Sequence, residues 1–235
     1  MFITDNKSLN YSKKTRLKKN IRFLILHYTG MQSARVSMNR LKNIKSKVSC
    51  HYFIERNGIV YRMVNDNKIA WHAGRSKWKD FNNLNKNSIG IEIQNKGHTI
   101  KYQNFTKNQI SSLIMLLKTL MKKYKIKKEN VLGHSDIAPL RKIDPGEKFP
   151  WNFLSTKGVA VWYPKFKITN GGSKFKMRRE VFFRNIYKIG YRFFTLSKQS
   201  KKDRKVIMAF QRRYLPKEIS GKITDKTLKI SQLLS

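Results

Sequence analysis

Between residues 20 and 155 the chain places apolar positions in two periods, one of strands and one of helices. Phe23-Leu24-Ile25-Leu26 is apolar at every position and ends in His27, the pattern of a strand covered on both faces. Because successive side chains alternate, His27 shares a face with Phe23 and Ile25. Ile89-Gly90-Ile91-Glu92-Ile93 alternates, so its isoleucines enter one core while Gly90 and Glu92 face an open space on the other side. His51 to Glu55 and Ile59 to Val64 predict a hairpin around Arg56-Asn57-Gly58, since Asn-Gly favours a tight turn. Ser33 predicts the cap of a short helix with Val36, Leu41 and Ile44 inward. Thr106 and Gln109 have capping-box spacing and open a longer helix, with Ile110, Leu113, Ile114, Leu117, Leu120, Met121 and Tyr124 as its buried stripe. The expected class is α/β, a central mixed β-sheet flanked by helices, with a small helical domain at the C-terminus.

One stretch departs from both periods. Gly133-His134-Ser135-Asp136 follows an expected strand from Asn130, and Pro139, Pro145 and Gly146 then forbid a continuous helix or strand. It reads as a shaped loop that carries His134, Asp136, Arg141, Lys142 and Asp144. A catalytic zinc takes three ligands from His, Asp or Glu and keeps one position open. The loop offers His134 and Asp144, with Asp136 as the rival oxygen ligand, and His27 at another strand end is the candidate third. Alone, His27 would read as a packed core histidine; beside His134 and Asp144 it reads as a ligand.

His27-Tyr28-Thr29, Val48-Ser49-Cys50-His51-Tyr52, Trp71-His72-Ala73-Gly74, Ile89-Gly90-Ile91-Glu92 and the loop from Gly133 to Gly146 resemble the type-2 N-acetylmuramoyl-L-alanine amidases. That zinc family includes bacteriophage lysozyme-like amidases and the peptidoglycan recognition proteins. The resemblance is to its AmpD/AmiD branch, and to AmiD more than AmpD because of the tail. It implies one zinc ion per chain, held by His27, His134 and Asp144, with Asp136 left to cap the loop. It further implies Glu92 as general base and proton donor, and Lys142 as the charge that stabilises an oxyanion. The bond cleaved would join N-acetylmuramic acid, or its anhydro form, to the L-alanine of the peptidoglycan stem peptide. His72 is expected in the wall of the substrate cleft and Asn95 as a hydrogen-bond partner of the stem; His51 is read as packing and His98 as surface. The alternative is a non-catalytic peptidoglycan-recognition protein, but such members usually lose a zinc ligand, and all three candidates stand here with Glu92 and Lys142.

Four regions are expected: a basic flexible arm over 1–19, the zinc amidase domain over 20–164, a linker over 165–176, and a helical peptidoglycan-binding-like domain over 177–235. The last rests on Ala209-Phe210-Gln211-Arg212-Arg213-Tyr214 and on Gly221 to Leu228; the other reading is a basic helical bundle packed on the catalytic domain. The 52 Lys and Arg against 13 Asp and Glu give a net charge of +39, which attracts anionic polymers without specificity. Abundant Lys, Ile and Asn, all with AT-rich codons, point to compositional drift as its main source. A nucleic-acid-binding protein would need a basic face with stacking aromatics or a groove-reading helix, and neither pattern is present. Cys50 is the only cysteine, so no intramolecular disulfide forms, and it reads as a small buried residue. Met1 to Lys7 lacks the apolar region of a signal peptide and a lipid-attachment cysteine, and no apolar run has the length of a membrane span. The resemblance therefore implies the cell envelope or periplasm, with the cytoplasm as alternative.

Overall fold

The computed structural model describes residues 3–166 and 175–235. The first part comprises β1 (Ile3–Asp5), β2 (Tyr11–Thr15), β3 (Phe23–Tyr28), α1 (Ala34–Lys42), β4 (Tyr52–Ile54) and β5 (Val60–Arg62). Then come β6 (Lys68–Ala70), β7 (Lys77–Trp78), β8 (Phe81–Asn82), β9 (Ser88–Ile93), α2 (Gly97–Ile100) and α3 (Lys107–Tyr124). The chain ends through β10 (Val131–Gly133), α4 (His134–Ile137), α5 (Trp151–Thr156), α6 (Phe175–Ile189), α7 (Asp203–Tyr214) and α8 (Asp225–Leu234).

Six strands form one mixed sheet in the order β1-β5-β4-β9-β3-β10. Only the β4–β5 hairpin is antiparallel; β3 pairs in parallel with β9 and with β10, and β4 in parallel with β9. The central strands need cover on both faces, which their apolar sequence allows. Leu24, Leu26, Ile89, Ile91 and Ile93 pack with Ile110, Leu113, Leu116 and Leu117 of α3 on one face. Thr106 caps α3 as expected, its hydroxyl accepting from the Gln109 amide at 3.1 Å while the Gln109 side chain accepts from the Thr106 amide at 3.0 Å.

Phe23, Ile25 and Leu132 on the opposite face join Phe182, Phe183, Ile186, Phe210 and Ile230 of α6, α7 and α8 in one buried cluster. The C-terminal helices thus cover the second face of the sheet. A buried ion pair pins them: Arg213 of α7 donates to Asp136 Oδ2 at 2.5 Å, and the Tyr191 hydroxyl donates to Asp136 Oδ1 at 2.6 Å. The Arg213 guanidinium also lies 3.9 Å from the Trp151 ring centroid.

Several expectations are corrected. The stretch read as a flexible arm is paired: β1 runs beside β5 and β2 beside β6. Lysine-rich composition hid two edge strands, where charge is tolerated because one side stays in water. Arg16 is buried and donates to the carbonyls of Asp66 at 2.9 Å and Ser88 at 2.6 Å. Leu41 is buried as predicted, but Val36 is 46% and Ile44 63% exposed. The helix ends at its C-cap Asn43, so Ile44 falls in a separate turn, and Val36 borders the cleft described below. The loop after Gly133 opens with one helical turn, α4, before its prolines. The expected linker falls mostly on residues 167–174, outside the described residues.

Removing Arg213 would leave Asp136 charged and buried without its cation. Arg213→Met is expected to cost about 3–5 kcal/mol in denaturant unfolding. A loss within ~0.5 kcal/mol of wild type would remove the pair as the anchor of α7.

Candidate metal centre and cleft

Parallel pairing sets the site. Register places His27 of β3 directly beside Glu92 of β9. The partner of Gly133, at the end of β10, is Leu26, so His134 lies one step on, level with His27. All three chain positions stand at the carboxyl ends of parallel strands, where open α/β sheets bind ligands. Asp144 returns to the same place because the Ser135 amide donates to the Asp144 carbonyl at 2.9 Å. The Gly133 amide donates to Asp136 Oδ2 at 2.8 Å, and the Tyr102 hydroxyl to the Pro145 carbonyl at 2.7 Å. Gly146 has φ +84° and a side chain there would overlap Tyr102, so the loop needs glycine at that turn.

His27 Nδ1, His134 Nδ1 and Asp144 Oδ2 converge. The two nitrogens are 2.9 Å apart, and they stand 3.1 and 3.0 Å from the carboxylate oxygen. All three residues are buried. His134 Nε2 lies 3.1 Å from the carbonyl of Ala73 and 3.3 Å from Arg141 Nη2, so its outward side is held within the protein while Nδ1 faces Asp144. Burial, and then the neighbouring His134 ring, lowers the His27 pKa to about 4, so His27 is neutral near pH 7. Burial works to raise the Asp144 carboxyl, but the imidazoles beside it hold it far below the usual carboxylate range. Two imidazole nitrogens and one carboxylate oxygen fit a zinc ion with a fourth position open.

Glu92 and Lys142 line the same cleft, of about 770 Å³, together with His27, His134, Asp144, Trp71, Val36 and Ile143. Glu92 Oε2 is buried with no hydrogen-bond partner among the described residues. Burial, helped by the Asp144 charge and opposed by Lys142, raises the Glu92 pKa to about 8.

Of the two expected substrate contacts, Asn95 is corrected and His72 lies in the cleft wall as expected. Asn95 is buried; its amide nitrogen donates to the Gln103 carbonyl at 2.8 Å and its oxygen accepts from the Gly97 and Gln103 amides. It fastens the loop after β9 and is fully enclosed there, away from the residues that line the cleft. His72 borders the cleft, yet both its nitrogens are engaged inside the protein, with His27 Nε2 at 3.0 Å and Ser88 Oγ at 3.2 Å. Asp136 caps the loop and binds Arg213, away from the three converging atoms. His51 is buried as packing, and His98 is exposed against Tyr28 and Glu147. The sequence reading missed Arg141, which donates to the Ala73 carbonyl and to the Arg75 carbonyl at 3.1 Å and braces the segment behind His134. Nothing in its spacing marks it.

Residues 17–147 match the N-acetylmuramoyl-L-alanine amidase family, and the chain belongs to it. AmiD of Escherichia coli K12 is 33% identical over 230 residues, covering 91% of this chain and 82% of AmiD. The structure of E. coli AmiD with the substrate anhydro-N-acetylmuramic acid-L-Ala-D-γ-Glu-L-Lys aligns at a TM-score of 0.81 and 29% identity, over 95% of this chain and 91% of that one. AmpDh3 from Pseudomonas aeruginosa aligns at 0.78 and 30% identity, over 95% and 94% of the two chains.

The raised Glu92 pKa has a sign that can be tested in metal-free protein. A carboxyl that binds its proton more tightly when folded stabilises the fold fully below about 4.5, and loses that contribution as pH rises through about 8. Glu92→Gln removes the titration, so its melting temperature relative to wild type should rise between pH 5 and pH 9, by the equivalent of a few kcal/mol. A constant difference across that range would show an unperturbed Glu92.

Proposed function

We propose that the chain hydrolyses the amide between N-acetylmuramic acid, or its anhydro form, and the L-alanine of the stem peptide, using one zinc ion at His27, His134 and Asp144. The observation that supports this most is the convergence of two imidazole nitrogens and one carboxylate oxygen, each about 3 Å from the others, beside a glutamate oxygen with no partner among the described residues. A zinc ion there supplies Lewis acidity and lowers the pKa of a water in its open position to about 7.

The chain's own residues do the rest. Glu92 Oε2 takes the proton of the attacking water and returns it to the departing alanine nitrogen. A free oxygen with a raised pKa suits both halves of that transfer, since the proton is held between them. Lys142 offers a fixed positive charge to the carbonyl oxygen as it becomes negative. The cleft, open to solvent and walled by Trp71, Val36 and Ile143, takes the muramoyl peptide. AmiD's complex with a muramoyl peptide supports muropeptides as substrates. The high positive charge adds unspecific attraction to anionic polymers. Retention of wall polymer by the C-terminal helices, and the cell envelope as compartment, belong to the same proposal. Among the described residues no helix is long and apolar enough to cross a membrane.

Mass spectrometry of purified peptidoglycan and muropeptides, incubated with and without a zinc chelator, tests the reading. Stem peptides with a free L-alanine amino end should appear only without chelator. If none form while zinc is bound, the chain is a recognition protein and Glu92 and Lys142 lose their roles.

Glu92→Gln should lower turnover by about 10²–10⁴-fold, and Lys142→Ala by about 10²–10³-fold, both with zinc content unchanged. Asp144→Ala should release zinc and Asp136→Ala should not; the reverse pattern would exchange the two aspartates.

A further inference from the structure

Behind His27 stands a second buried histidine with a defined chain of hydrogen bonds. His27 Nε2 is 3.0 Å from His72 Nδ1, His72 Nε2 is 3.2 Å from Ser88 Oγ, and Ser88 Oγ is 2.6 Å from the Leu84 carbonyl. The last acceptor decides the direction of the others. A carbonyl cannot donate, so the Ser88 hydroxyl gives its single proton to Leu84 and must accept from His72 Nε2–H. A neutral His72 then has only a lone pair on Nδ1, which must accept from His27 Nε2–H. His27 is left with an unprotonated Nδ1, the atom that faces His134 and Asp144. Reversing every bond would leave Ser88 and Leu84 as two acceptors at 2.6 Å with no proton between them, and would aim an N–H into the centre.

We propose that His72, itself fixed by Ser88, is the positioning residue that sets the tautomer and ring direction of His27, so that His27 presents a lone pair to the metal centre; this rests on the zinc reading above.

The fold supports the placement from three sides. Ser88 begins β9, and its backbone carbonyl accepts from buried Arg16 at 2.6 Å. The Asn85 side chain accepts from the backbone amides of His72 and Ala73, at 3.0 and 2.7 Å, and so fixes the segment that carries the ring. The ring lies over Gly90 of β9, where any Cβ would overlap it. That explains a glycine between two isoleucines of a central strand: the missing side chain is the room His72 occupies. Among the described residues the two ring nitrogens of His72 meet only His27 and Ser88, with no carboxylate to hold a second proton on the ring. The other histidine is also held from behind, its Nε2 lying 3.1 Å from the Ala73 carbonyl. For His27 that chain terminates at a backbone carbonyl, a partner whose direction cannot change.

The test separates the hydrogen bond from mere packing. His72→Leu fills much of the space and offers no acceptor; His72→Asn places an oxygen near the former Nδ1. Zinc affinity is read by competition with a chromogenic chelator, and the His27 tautomer by imaging the imidazole nitrogens with NMR in metal-free protein. His72→Leu should weaken zinc binding by about 10–100-fold and lose the Nε2–H preference of His27. His72→Asn should recover most of both, with the metal-free melting temperatures of the two variants alike. Wild-type affinity and tautomer in His72→Leu would overturn the proposal, and so would an equal loss in His72→Asn, which would assign the effect to packing.

If His72→Leu does not fold, Ser88→Ala carries the test, since it removes the acceptor that holds His72 Nε2–H. It should weaken zinc binding in the same direction with a smaller change, and unchanged binding would overturn the proposal. A wild-type chain that binds no zinc would instead overturn the functional reading, whereas the tautomer measurement needs no metal and stands apart from it.

Discussion

The parallel pairing of β3 with β9 and β10 is the constraint on which the rest depends. It puts His27 opposite Glu92, and brings His134 to the same level one residue beyond β10. Parallel strands have all their carboxyl ends on one edge, so three functional side chains meet there without any long loop having to reach across the sheet. The pairing is itself a consequence of burial. Phe23 to Leu26 are apolar on both faces and become stable only when α3 covers one side and α6, α7 and α8 the other. The helical tail therefore supports the site from below, whatever else it binds.

The centre of the fold was legible because it obeys short-range rules. Alternation in Ile89 to Ile93 assigned the face of Glu92, the Thr106–Gln109 box marked the start of α3, and the prolines after His134 marked the loop. The failures share one cause: they concern partners that only the folded chain brings together. The lysines of the N-terminal stretch masked β1 and β2, whose partners lie more than fifty residues away. Asn95 and His72 were recognised as polar residues near a cleft, but their partners, Gln103, Ser88 and His27, are chosen by the tertiary structure. A buried polar side chain must be satisfied, and sequence alone does not tell whether a ligand or the protein satisfies it.

Both ends of the chain reach the centre through buried arginines that lie outside residues 17–147, the span matched to the family. Arg16 fixes the start of β9 through the Ser88 carbonyl, and Arg213 fixes the turn after β10 through Asp136. A guanidinium suits this work because its donors are fixed in a planar fork and can hold several acceptors at once. Arg16 uses carbonyl oxygens, while Arg213 meets a carboxylate. Among the described lysines and arginines only these two and Arg212 are buried, and the effect of Arg16 and Arg213 is positional.

The same contrast decides how the net charge of +39 bears on the chemistry. A basic field should favour ionised carboxylates and so lower the Glu92 pKa. It is instead raised to about 8, with burial the largest cause and the Asp144 charge next, while Lys142 opposes them. Exposed cations beyond about 10 Å are screened at 0.1 M salt, so their number matters little to a group in the cleft floor. Desolvation acts at contact distance and is not screened. The global charge can therefore govern how anionic polymers approach the protein, and with what salt dependence, while the proton affinity of Glu92 follows from the few atoms packed around it.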